Sequence, residues 1–207
     1  MNEPLRLVTG AFGFTGRHLT ELLLARGLRV RTLTEHGDRP NPWGERVEVR
    51  PFAWDDPAAL VESLRGVEVL YNTYWIRFPH GKLTFPQAVE NSLLLWEAAR
   101  EAGVRRVVHV SIANPSLDSP LPYYSGKARV EQGLIESGLE YAIVRPTVIF
   151  GDHGILLNNI AWMLRHLPLF ATPGDGEYRM QPIYVGDLVE MMATAGETGA
   201  PPSCRTQ

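Results

Sequence analysis

Three side chains in this sequence have the types and spacing for proton transfer coupled to hydride transfer: Ser111, Tyr123 and Lys127. Tyr123 and Lys127 are four residues apart, so on a helix they share one face. A phenol titrates near pH 10 and is a poor acid–base catalyst at neutral pH. A neighbouring ammonium favours the phenolate and draws that value down. A lysine so placed also reaches the ribose beside a nicotinamide, and a serine hydroxyl can hold the substrate oxygen. Of the 20 basic residues, only Lys82 and Lys127 are lysine. Arginine does not replace lysine where a compact ammonium is needed. Tyr124, three residues before Lys127, is the rival tyrosine. The plain alternative is a solvated lysine and a tyrosine that packs at the helix start.

The elements that must position these residues alternate. Strands are predicted at 5–9, 28–34, 47–53, 67–71, 106–111 and 141–145. Helices are predicted at about 16–26, 57–64, 84–102 and 122–137, with glycines 27, 103 and 138 as stops. Such alternation with short connections predicts an α/β fold: a doubly wound parallel sheet with helices on both faces. Ser111 then lies at the C-terminal end of a strand, where open parallel sheets bind ligands. Between the first strand and the first helix stand Gly10, Gly13 and Gly16. Gly10 permits a tight turn, Gly13 a close approach to pyrophosphate, and Gly16 close packing of helix on strand. The helix N-terminus offers free N–H groups to phosphate. Glu35, 19 residues past Gly16, stands where an acid would bind ribose hydroxyls. Arg31, His36 and Arg39 could instead meet a 2′-phosphate, so NAD and NADP both stay open.

Composition excludes several classes. A net charge of −3 leaves no basic surplus for nucleic acid, and 44% apolar residues exclude whole-chain disorder. A single cysteine, Cys204, excludes a disulfide framework and a cysteine-based zinc site. The six histidines show no i, i+4 pair, so no metal is expected. No transmembrane run is present. Met1–Pro4 reads as a mature start, so a cytoplasmic location is expected. The segment 155–171 reads as a helix packed on a protein core, with Trp162, Met163, Leu164 and Leu167 as core or as the contact of a possible homo-oligomer. His109 reads as a satisfied core residue, and Asp187 as an N-cap. The polar tail, 196–207, is expected to be disordered or the product of truncation.

The Thr9–Gly16 turn, the strand end at Ser111, the Tyr123-x-x-x-Lys127 pair and the run Arg145-Pro146-Thr147-Val148-Ile149-Phe150-Gly151 together resemble the short-chain dehydrogenase/reductase superfamily, in its extended and atypical branch. Residues 181–188 look like the strand and helix start that follow there. The texture is similar to NAD-dependent epimerase/dehydratase-like proteins, including the group related to the nucleotide-binding accessory subunit of respiratory complex I. The resemblance covers about residues 5–195. It implies a Rossmann-type NAD(P)-binding core over 1–150 and a partial, shortened substrate-side lobe over 151–207. It implies that Gly10, Phe12, Gly13, Phe14 and Gly16 line the pyrophosphate, and that Asp55 contacts adenine. It further implies that Asn72, Thr73 and Tyr74 line the cofactor, with Pro146, Thr147 and Val148 at its nicotinamide end. The expected activity is that of an NAD(P)-dependent oxidoreductase or epimerase acting on a small-molecule carbonyl or hydroxyl substrate. The alternative is a non-catalytic NAD(P)-binding sensor or accessory subunit. Two features depart from the pattern: bulky Tyr74 and Trp75 follow the fourth strand, where small residues are usual, and the C-terminal region is short.

Overall fold

In the computed structural model, residues 4–197 and 203–205 are described, apart from His36, Asp38, His80, Lys82, Pro173 and Tyr178. The main sheet contains β1 (Leu5–Thr9), β2 (Arg29–Thr34), β3 (Val47–Pro51), β4 (Val67–Asn72), β5 (Arg106–Val110), β6 (Glu140–Arg145) and β9 (Ser203–Arg205). Its strand order is β3-β2-β1-β4-β5-β6-β9, and every pairing is parallel. The order reverses between β1 and β4, so their C-terminal ends diverge into a crevice. This is the expected doubly wound, Rossmann-type sheet.

Alternation along the strands splits the core into two layers. Leu5, Leu7, Leu70, Val107 and Ile143 face one way, onto α2 (Pro57–Leu64), α3 (Phe85–Glu101) and α4 (Pro122–Glu136). Val8, Val69, Tyr71, Val108, Ala142 and Val144 face the other, onto α1 (Phe14–Ala25) and α6 (Val185–Ala195). Period-2 burial on both faces is what a sheet covered on both sides requires. The helix starts are chemically specified. Thr84 accepts from the Gln87 N–H at 3.3 Å and caps α3, while Asp56 accepts from Ala59 at 3.0 Å and caps α2. Both helices carry proline in their first turn, where no N–H partner is lost.

Beyond β6, β7 (Val148–Phe150) and β8 (Pro182–Tyr184) form a separate two-stranded sheet, and α5 (Ile155–His166) lies between them in sequence. Three expectations need correction here. No residue of α5 is buried, and Trp162 and Leu164 are more than half exposed, so this helix is not core. Its apolar stripe marks a helix side, but the sheet faces are already covered, one by α1 and α6 and the other by α2, α3 and α4. Asp187 is not the cap of α6: Tyr184 holds that position and Asp187 sits in the first turn, where a carboxylate still favours the helix dipole. Part of the tail is ordered, because Ser203–Arg205 pairs in parallel with Ile143–Arg145. Edge pairing uses main-chain groups, so a polar composition does not prevent it. The remaining tail positions, 198–202 and 206–207, lie outside the described residues. Among the described residues no helix is long and apolar enough to cross a membrane.

Candidate functional site

The glycine turn leaves β1 at the crevice. Gly10 has φ +68°, a left-handed conformation, and its N–H donates to Leu33 O at 2.9 Å. Ala11 N–H donates to the Thr32 hydroxyl at 3.1 Å, so the turn is pinned to β2 from two points. Gly13 occupies the N-cap of α1, with no side chain capping the helix. A Cβ on Gly13 would stand 3.2 Å from Gly10 O; one on Gly16 would stand 2.2 Å from the same oxygen. Gly16 is therefore required by packing, and Gly13 keeps the helix end bare. Phe12 stacks on Trp43 at 5.9 Å, and Phe14 meets His18 edge-on at 5.4 Å.

Across the crevice, the end of β4 is tied to β1. The Thr9 hydroxyl donates to Asn72 Oδ1 at 2.9 Å and accepts from the N–H groups of Thr73 at 2.8 Å and Tyr74 at 3.0 Å. Asn72 is fully buried and its amide nitrogen meets His109 Nδ1 at 3.0 Å. Its polar atoms are thus spent inside the protein, and it braces β1, β4 and β5. That bond makes Nδ1 the acceptor and leaves the proton on Nε2, which is buried without a partner among the described residues. His109 is held neutral, well below its usual range, by burial and by the nearby Lys127 charge. It is a half-satisfied core residue. Tyr74 turns back into the protein: its hydroxyl accepts from Asn91 at 2.9 Å, and its ring packs on Phe52 and Trp54. Burial pushes its phenol up to about 12.

Ser111 follows β5. It is 4% exposed, and its hydroxyl is buried with no hydrogen-bond partner among the described residues. Lys127 is 3% exposed; its ammonium donates to Val110 O at 2.9 Å and lies 4.7 Å from the centre of the Trp75 ring. Burial pulls its pKa down to about 7, with the Glu131 carboxylate acting the other way. Tyr123 is half-buried among Trp75, Phe85 and Tyr124, and its phenol is pushed up by burial, opposed by the charge of Arg77. The expected downward shift of Tyr123 is thus not what this arrangement gives. Lys127 points to the β5 carbonyl and the indole, and desolvation wins at the phenol. Pro146 is buried and accepts from Ala113 N–H at 3.1 Å, the Thr147 hydroxyl donates to Gln181 O, and Val148 pairs with Pro182. These three residues carry the chain from the end of β6 into the small sheet, beside Ser111, whose N–H donates to Val144 O at 2.8 Å.

Residues 6–203 match the NAD dependent epimerase/dehydratase family. The chain belongs to that family. Over 197 residues it is 25% identical to NADH dehydrogenase (ubiquinone) 1 alpha subcomplex subunit 9, mitochondrial, of Arabidopsis thaliana, which spans 91% of this chain and 49% of that protein. It is 34% identical over 168 residues to sterol demethylase protein B of Methylococcus capsulatus, spanning 70% of this chain and 51% of that one. The chain thus spans about half the length of these curated relatives. The enzyme WbmH of Bordetella bronchiseptica, solved in complex with NAD+, superposes with a TM-score of 0.76 at 18% identity, over 98% of this chain and 75% of that one. That likeness shows the fold.

As a member of the NAD dependent epimerase/dehydratase family, the chain has NAD as its cofactor, and the residues present fit it. The bare N-terminus of α1 and the Gly10–Gly16 cradle, which a Cβ would obstruct, suit a pyrophosphate. Glu35 is exposed at the end of β2, with one carboxylate oxygen fixed by Trp54 Nε1 at 3.0 Å and the other open to ribose hydroxyls. Of the cations that could favour a 2′-phosphate, Arg31 is already engaged by Glu48 at 2.8 Å, Ser63 O and Arg65 O. Arg39 is exposed, and His36 lies outside the described residues. Asp55 is exposed beyond β3. Sequence reasoning missed Trp54, Arg77 and the Glu131–Arg145 pair. Glu131 receives Arg145 through two nitrogens, at 2.6 and 2.9 Å, and locks α4 to β6 below Lys127. An acid four residues after Lys127 was the one signal available for it.

Proposed function

We propose that this chain is an NAD-dependent oxidoreductase or epimerase-like enzyme acting on a carbonyl or hydroxyl substrate, with Tyr123 as general acid/base. The observation that carries this reading is the Ser111 hydroxyl, buried without a partner among the described residues at the end of β5, next in sequence to Val110, whose carbonyl receives Lys127. A buried hydroxyl left unpaired is costly and suits a site whose partner is a substrate oxygen. Bound NAD supplies hydride exchange at its nicotinamide. Ser111 orients the substrate oxygen. The Tyr123 phenol is protonated at neutral pH, as any phenol is, and gives its proton to a carbonyl oxygen; burial opposes that release and the charge of Arg77 favours it. An ammonium has three donors. One of those on Lys127 goes to Val110 O and the Trp75 face takes another, which leaves one for a ribose hydroxyl.

A second reading is a non-catalytic NAD-binding accessory subunit. It is favoured by Trp75, which packs against both Tyr123 and Lys127 where small residues are usual. Titration with NADH and NADPH, followed by turnover assays on carbonyl compounds and nucleotide sugars, separates the two. The enzyme reading predicts turnover that Tyr123→Phe abolishes while NADH binding persists. Binding without turnover, unchanged by the substitution, selects the accessory reading.

A further inference from the structure

Trp75 is an unusual occupant of its position. Its ring is stacked near Phe85 at 6.2 Å and meets the edge of Tyr123 at 6.1 Å. A Cβ on Gly126 would stand 3.1 Å from its Cη2 and 3.4 Å from its Cζ2, so the missing side chain of Gly126 is the space that the indole fills. The indole Nε1 is buried and has no hydrogen-bond partner among the described residues. A phenylalanine or leucine would fill an apolar slot without leaving that donor unpaired. What an indole offers in return is the best side-chain face for a cation. The Lys127 ammonium lies 4.7 Å from its centre.

We propose that Trp75 is a positioning residue for Lys127: its indole face, seated in the gap at Gly126, holds the lysine head group at the end of β5 and favours its charged form against the cost of burial. The other groups facing this ammonium can be named. From α4 it is Glu131, which supports its charge and is itself paired with Arg145 of β6; Tyr123, one turn earlier, meets the same Trp75 ring. From β5 it is His109, which is already neutral. From the segment after β4, Arg77 acts on Tyr123. None of these stacks on the ammonium, and none replaces the indole. The consequence for cofactor binding rests on the proposed role of Lys127; the charge state of the lysine does not.

The two-lysine composition makes the test simple. The full chain, labelled with 13C and 15N in lysine, gives side-chain signals from Lys82 and Lys127 alone, and Lys82→Arg assigns them. A pH titration then reads the Lys127 midpoint directly. Trp75→Leu keeps an apolar cover and removes the aromatic face. It is expected to lower the midpoint by about 0.5 to 1.5 units, with Trp75→Phe giving a smaller fall. If the leucine variant does not fold, the phenylalanine variant carries the test by itself. A midpoint that stays put, or rises towards that of a free lysine, would mean that the indole only excludes water, and the inference fails. A midpoint that falls while Tyr123→Phe leaves turnover unchanged upholds this inference and defeats the catalytic reading instead.

Discussion

Replacing Gly16 by alanine separates the packing role of the glycine turn from its binding role. The new Cβ would lie 2.2 Å from Gly10 O, 2.8 Å from Gly10 C and 3.1 Å from Ala11 Cα, all of them backbone atoms. Relief needs a shift of about 1 Å, since ordinary contact begins near 3.4 Å. The turn cannot give that freely, because Gly10 N–H is bonded to Leu33 O at 2.9 Å and Ala11 N–H to Thr32 at 3.1 Å. Overpacking of this kind costs about 1–3 kcal/mol, against a gain in helix propensity of at most about 1 kcal/mol. The net loss of about 1–2 kcal/mol corresponds to a melting temperature lower by about 2–8 °C for a chain of this size. NADH affinity should fall with it, because the displaced turn is the phosphate cradle. Gly13→Ala is the control. Its φ of −82° suits alanine, and its Cβ would be only slightly tight at 3.2 Å. Its methyl instead stands at the bare helix end, so affinity should drop roughly tenfold or more, while the loss of stability should stay near the ~0.5 kcal/mol of a poorer N-cap residue. Calorimetric melting and NADH fluorescence titration on both variants decide the matter. A Gly16→Ala protein that melts and binds as the wild type does would refute the packing argument. A Gly13→Ala protein that loses clearly more stability than this but keeps its affinity would refute the assignment of roles.

Glu131→Ala leaves the Arg145 guanidinium without its carboxylate at a site where Glu131 is 6% and Arg145 21% exposed. Urea unfolding should show a loss of about 2–4 kcal/mol, and a loss under about 1 kcal/mol would count against this pair as the lock between α4 and β6. Lys127 sets a pH dependence: its folded value is about 7 against an ordinary 10.5. Below pH 7 the lysine is charged in both states and its burial cost is fully present. Between about 7 and 10.5 only the folded state has released the proton, so stability rises with pH by up to about 1.4 kcal/mol per unit. Lys127→Met should flatten that slope, and parallel pH curves for the two proteins would contradict it. Tyr71 and Tyr74, pushed up to about 12 by burial, act in the opposite sense at higher pH. Their stabilising contribution is present below pH 10 and lost between about 10 and 12, which urea titrations in that window would detect. Glu35→Ala should narrow the preference for NADH over NADPH; an unchanged ratio of dissociation constants would remove Glu35 from the ribose site.

The parts of the molecule legible from sequence are those with local causes. Each of the three glycines has a backbone reason within a few residues of itself, and Thr84 caps a helix whose first turn follows directly. The strand–helix alternation made the parallel sheet readable because each crossover leaves its own periodic stripe. What stayed hidden depends on contacts distant in sequence. Asn72 looked like a ligand residue at a strand end, but Thr9 and His109, 63 and 37 residues away, draw its side chain inside. Tyr123 and Lys127 share a helix face as expected, but the state of the phenol is decided by Trp75, Phe85 and Arg77 from other segments. The β9 pairing is made by main-chain groups, which a composition argument does not weigh.

The central claim is that the crevice between β1 and β4 holds NAD with its nicotinamide end at Ser111, Tyr123 and Lys127. A crystal structure of the chain with bound NAD tests it most directly. The account predicts pyrophosphate on Gly10–Gly16, a ribose hydroxyl on Lys127, and the nicotinamide ring facing the Ser111 and Tyr123 hydroxyls. A nicotinamide ring placed away from those hydroxyls, with Lys127 still closed off by Val110 O and Trp75, would contradict it.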